Sequence, residues 1–123
     1  MPAKINTLLV EDDLDLIDIA AELLEIAGCV VTAVATPEEA INHLRQGQKF
    51  DLLFTDYRFP GRATGVELAN EAQRHNPNIQ VIIATGFDAQ TIQTEAQKGH
   101  HIIAKPYPLE TLTTLVHKLF PTI

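Results

Sequence analysis

The chain has 123 residues, 46% hydrophobic and 20% charged, which fits one globular domain (residues 1–123) with its own core and excludes a disordered or low-complexity chain. Its formal charge of −7 sets up a field that repels polyphosphate, arguing against direct DNA binding. The single cysteine, Cys29, leaves no internal disulfide, and no N-terminal apolar run follows a basic stretch, so the expectation is a cytoplasmic chain with no secretory signal and no membrane association.

Thr7 to Val10 is a short apolar run cut off by Glu11, Asp12 and Asp13, which predicts a buried strand opening into an acidic loop. From Asp15 to Ala27 the residues Leu16, Ile19, Ala20, Leu23, Leu24 and Ala27 recur at helical spacing, and Gly28 stands where a left-handed cap would end the helix. Val30 to Ala35 is β-branched and predicts a second strand. Thr36-Pro37-Glu38-Glu39 then supplies an N-cap, a first-turn proline and a capping-box glutamate for a helix to about Gln46.

Phe50 to Thr55 predicts the third strand, ending at Asp56, and Pro60-Gly61 with Gly65 leads into a helix through about Arg74. Ile79 to Ala84 is the fourth strand, ending at Thr85-Gly86. A weaker, more mobile helix is expected over Asp88 to Lys98, which has few large apolar residues. His101 to Ala104 is the fifth strand, ending at Lys105-Pro106, and Pro108 starts a last helix with Leu109, Leu112, Leu115, Val116 and Leu119 on one face.

Five apolar strands alternating with five helical stretches predict a doubly wound (βα)5 α/β sandwich around a five-stranded parallel sheet. Ligands of such sheets sit at the carboxyl ends of the strands, near the point where strand order reverses. The residues at those ends are Glu11 and Asp12, then Asp56, Thr85 and Lys105. Carboxylates brought together repel one another and call for a hard divalent cation, and two carboxylates, a backbone carbonyl and waters suit magnesium. Lys105 and Thr85 could neutralise phosphoryl oxygens during in-line transfer, with Asp56 as nucleophile.

The set Glu11-Asp12-Asp13, Asp56-Tyr57-Arg58-Phe59-Pro60, Thr85-Gly86 and Lys105-Pro106 resembles the receiver domains of two-component response regulators, in order and spacing over essentially the whole chain. The resemblance implies a flavodoxin-like strand order 2-1-3-4-5 and a phosphorylation-dependent switch. It implies that Asp56 accepts a phosphoryl group from a histidine kinase or histidine phosphotransfer domain. Asp12 and Asp56 would hold Mg2+ directly, Glu11 through a water and Arg58 through its backbone carbonyl, while Asp13 would be peripheral; a one-residue shift along the acidic run is the alternative. Thr85 and Lys105 would bind phosphoryl oxygens, behind a cis Lys105-Pro106 bond. Gly86 would leave room for the donor histidine.

Three features depart from the pattern of that family. Ile102 stands where receivers usually carry the Tyr or Phe that turns inward on phosphorylation, so Thr85 is left without its aromatic switch partner. Phe59 stands where methionine is usual, and the loop Pro60 to Gly65 is a residue longer than common, resembling receivers of hybrid histidine kinases. The stretch from Thr85 to Lys105 is slightly short, with Phe87 an exposed aromatic beside the site. His100 and His101, pointing to opposite faces of a strand, are read as ordinary edge residues, and Cys29 as a small packing residue. Competing readings are a magnesium-dependent aspartyl phosphohydrolase of the haloacid dehalogenase type, a partner-binding pseudo-receiver, and a receiver excised from a hybrid kinase. The first resembles this chain only in its aspartyl nucleophile, because Arg58 replaces the second acid of its Asp-x-Asp motif.

Overall fold

The computed structural model describes residues 4–61, 63–86 and 100–121. Five strands, β1 (Ile5–Val10), β2 (Cys29–Val34), β3 (Leu52–Asp56), β4 (Gln80–Thr85) and β5 (His100–Ala104), pair in parallel in the order β2-β1-β3-β4-β5. Four helices are described: α1 (Leu14–Ile26), α2 (Pro37–Arg45), α3 (Gly65–His75) and α4 (Leu109–Leu119). The helix expected over 88–98, and Phe87, lie outside the described residues.

The central strands are apolar at nearly every position because both faces of the sheet are covered. Leu8, Val10, Leu53, Val81 and Ile83 pack on one side with Ala40, Leu44, Leu68 and Ala72 of α2 and α3. Ile5, Leu9, Leu52, Phe54 and Ile82 face the other way, onto Ala20 and Leu24 of α1 and Leu112 and Val116 of α4. Cys29 is buried and free within this second cluster.

Local chemistry sets the helix ends. Asp13, rather than Asp15, begins α1: its Oδ1 accepts from the backbone N–H of Asp15 at 2.9 Å and of Leu16 at 3.3 Å, filling two donors that the first turn leaves open. Gly28 follows the C-cap with φ +107°. Thr36 caps α2, but Glu39 folds back onto the Thr36 hydroxyl (3.3 Å) instead of completing a reciprocal box. The reciprocal box forms at α3, where the Thr64 N–H donates to Glu67 Oε1 (3.1 Å) and the Glu67 N–H to Thr64 Oγ1 (3.2 Å). Pro108 is the N-cap residue of α4 and has no side-chain cap bond.

Candidate functional site

The strand register builds the site. Val10 pairs with Thr55, Asp56 with Ala84, and Thr85 with Ala104, so along the carboxyl edge Glu11 stands level with Asp56, Thr85 one residue further on and Lys105 two residues beyond the Asp56 level. Neighbouring strands lie about 4.8 Å apart, close enough for these side chains to meet. These strand ends straddle the point where the chain leaves β1 for β2 on one side and β3 on the other, the usual ligand crevice of such sheets.

Glu11, Asp56 and Thr85 are buried, while Asp12 is exposed at the rim. The carboxylate oxygens of Glu11, Asp12 and Asp56 come within 4.8 Å of one another. Unit charges at that spacing repel by about 3 kcal/mol at an effective dielectric constant near 20. Lys105 answers part of this, with its Nζ paired to Asp56 Oδ1 and 3.5 Å from Glu11 Oε1. The compensation is incomplete. Burial, a shared hydrogen bond with Asp56 and the Asp56 charge push the Glu11 carboxyl up to about 7, against the lowering effects of the Asp13 N–H (3.1 Å to Oε2) and Lys105. For Lys105, burial favours the neutral amine, but Asp56 and Glu11 outweigh it and raise its pKa.

Three carboxylates gather beside the Lys105 ammonium, and the all-oxygen donor set fits a hard divalent cation. Asp13 caps α1 through its Oδ1, while the carboxylates that come together are those of Glu11, Asp12 and Asp56.

Asp56, Tyr57, Arg58, Ala84, Thr85, Gly86 and Lys105 line a cavity of about 90 Å³. Arg58 is exposed at its edge. A Cβ added to Gly86 would meet nothing within 4 Å among the described residues. The Lys105 N–H donates to the Thr85 carbonyl at 2.7 Å, and the Lys105-Pro106 bond is cis.

The site has a backbone support that sequence reasoning missed. A Cβ on Gly65, the first residue of α3, would lie 2.3 Å from the Asp56 carbonyl oxygen and 3.0 Å from Tyr57 Cα. Only glycine lets α3 start this close, and the Gly65 N–H donates to the Tyr57 carbonyl at 2.6 Å. Thr55 Oγ1 donates to the same Asp56 carbonyl at 2.9 Å. The signal was present in the sequence as a glycine set inside the Thr64/Glu67 capping box.

Other singled-out residues lie away from the cavity. Ile102 is partly buried against the α2/α3-side cluster, and Phe59 is buried within that cluster. His101 is half-buried, but His100 is buried rather than an open edge residue, with Nε2 3.2 Å from Gln73 Oε1. Burial lowers the pKa of both imidazoles.

Comparison with known proteins places this geometry in context. Residues 7–117 match the family model described as the response regulator receiver domain. The response regulator receiver protein CpdR of Brucella abortus is 32% identical over 114 residues, covering 91% of this chain and 93% of that protein. Among solved structures, a response regulator receiver protein from Sinorhizobium medicae superposes with a TM-score of 0.88 at 29% identity, over 96% of this chain and 95% of the other. The receiver domain of the hybrid histidine kinase CckA does so with a TM-score of 0.76 at 28% identity, over 93% and 97%.

Proposed function

Since the chain belongs to the response regulator receiver domain family, we propose that it is a phosphorylation-driven signalling switch whose phosphoryl acceptor is Asp56. The observation that carries this reading is the gathering of Glu11, Asp56, Thr85 and Lys105 at the carboxyl ends of their strands, with the Lys105 ammonium on the Asp56 carboxylate. The phosphoryl donor is a histidine kinase or a histidine phosphotransfer protein. An Asp56 carboxylate oxygen attacks the phosphorus of a phosphohistidine, the P–O bond forms as the P–N bond breaks, and the imidazole leaves as the neutral ring after taking a proton. Lys105 pairs with one phosphoryl oxygen and the Thr85 hydroxyl donates to another, so charge developing on the transferred group meets donors already in place.

Asp12 and Asp56, Glu11 through a water, and the Arg58 backbone carbonyl would hold one Mg2+, which when bound supplies further positive charge to the phosphoryl oxygens. The donor approaches past Gly86, and the exposed Leu14, Leu16 and Ile19 on α1 offer apolar ground for a protein partner beside the site. The phosphorylated form then shifts a conformational equilibrium and changes which partner is bound.

The chain works as a single receiver unit in the cytoplasm; among the described residues no helix is long and apolar enough to cross a membrane. It promotes its own phosphorylation and slow dephosphorylation but is not a turnover enzyme. Arg58, in place of a second acid two residues after Asp56, disfavours the phosphohydrolase reading. Acetyl phosphate with Mg2+ is expected to modify the wild type and not Asp56→Asn. Equal modification of the variant, or sustained multiple turnover of small phosphate esters, would overturn the proposal.

A further inference from the structure

The position that holds an inward-turning ring in many receivers is Ile102, an aliphatic side chain packed toward α2 and α3. A ring does stand close to Asp56, on the other side of the sheet. Tyr107, two residues past Lys105, is partly buried in the α1/α4-side cluster, and its ring meets Phe54 edge-on with centroids 5.7 Å apart and planes at 73°. Phe54 is itself buried on β3, two residues before Asp56.

These contacts close a ring of interactions. Lys105 to Tyr107 and Phe54 to Asp56 are two three-residue segments, joined at one end by the Lys105–Asp56 ion pair and at the other by the Tyr107–Phe54 aromatic pair. The backbone bond from Lys105 to Thr85 (2.7 Å) anchors the first segment, and the β3–β4 ladder anchors the second. A change at the ionic end has a short path to the aromatic end and little slack to absorb it, because packed interiors switch between arrangements rather than deform smoothly. The Tyr107 hydroxyl already senses the site: burial, then the Asp56 and Glu11 charges, push it up to about 12.

We propose that Tyr107 carries the charge state of Asp56 into the α1/α4 layer, in place of a ring at position 102. The inference rests on Asp56 being the phosphoryl acceptor. Phosphorylation raises the negative charge there from one to nearly two and draws the Lys105 ammonium from the carboxylate to the phosphoryl oxygens. The segment ending at Tyr107 follows, and the ring shifts against Phe54. Leu115, Leu119 and Phe120 pack against the same cluster as Tyr107, so the α4 face and the neighbouring α1 are where the signal emerges.

The composition makes a clean test available, since the chain has two tyrosines and no tryptophan. In the full chain with ring-labelled tyrosine, Tyr107→Phe assigns the Tyr107 resonance, and beryllofluoride with Mg2+ serves as the phosphoryl probe. Site uptake is read from the Thr85 amide. The Tyr107 ring resonance and the Leu112 and Val116 amides are expected to shift in the wild type. Tyr107→Leu should keep the Thr85 shift and lose those at Leu112 and Val116, Tyr107→Phe should retain all three, and Ile102→Ala should lose none. A Thr85 shift with an unmoved Tyr107 ring, or unchanged Leu112 and Val116 shifts in Tyr107→Leu, would overturn the coupling alone. No Thr85 shift in the wild type would overturn the acceptor reading, and the coupling with it.

Discussion

Gly65→Ala is a demanding test of how the site is supported. The added methyl would sit 2.3 Å from the Asp56 carbonyl oxygen and 3.0 Å from Tyr57 Cα, both backbone atoms that cannot rotate away. Restoring ordinary contact moves the start of α3 off β3 by roughly 1 Å, at the 1–3 kcal/mol typical of overpacking a dense interior. The same movement breaks the 2.6 Å bond from the Gly65 N–H to the Tyr57 carbonyl, worth about 1 kcal/mol. Alanine's better helix propensity returns a few tenths of a kcal/mol to at most about 1 kcal/mol at this terminal position. The net expectation is a loss of about 1–4 kcal/mol, or roughly 3–20 °C in Tm for a domain of this size. Because the displaced atoms belong to Asp56 and Tyr57, phosphorylation by acetyl phosphate should slow as well, even at temperatures where the variant is fully folded. Urea unfolding and a phosphorylation time course measure the two effects. A variant within about 0.5 kcal/mol of wild type, the ordinary range for a surface substitution, would refute the close-approach argument.

Two further predictions concern the acidic loop. In metal-free protein the folded state holds Glu11 at about 7 against an ordinary 4.5; between those values the folded state binds more protons than the unfolded one, so stability from this group is full below pH 4.5 and lost as pH rises through 7. The effect is on the order of 3 kcal/mol, read from denaturation midpoints across that window; Glu11→Gln should flatten it and Mg2+ should shrink it, and an unchanged slope in Glu11→Gln would contradict the account. Asp13→Ala should cost about 1 kcal/mol through loss of the α1 cap while leaving beryllofluoride uptake intact, whereas Asp12→Ala should impair uptake; the reverse pattern would mean that Asp13 is the metal ligand.

Much of this was readable from residue order because apolar strands ending in polar residues define both the sheet and its functional edge. Glu11, Asp56, Thr85 and Lys105 needed only the parallel topology to be brought together, and the register does so. What escaped were features set by three-dimensional approach. Thr36-x-x-Glu39 and Thr64-x-x-Glu67 carry the same box pattern, yet only the second closes reciprocally, because side-chain rotamers decide which acceptor the N-cap N–H meets. Gly65 reads as a turn glycine until the Asp56 carbonyl is seen against it. Tyr107 has no periodic signal, since it lies between Pro106 and Pro108 in a segment with neither strand nor helix pattern. His100 reads as an edge residue by its place on β5, but it is buried and Gln73 on α3 reaches it in a part-buried pair. Strand limits moved by one or two residues, as expected where ladder bonds rather than hydropathy end a strand.

The central claim, that Asp56 is the residue that becomes phosphorylated, is tested most directly by trapping the product. Borohydride reduces an aspartyl phosphate to homoserine, so wild-type protein phosphorylated with acetyl phosphate and Mg2+, reduced and mapped by peptide mass spectrometry should carry homoserine at position 56. Homoserine at Glu11, Asp12 or another acid with Asp56 unmodified, or no reduced residue at all, would contradict the account.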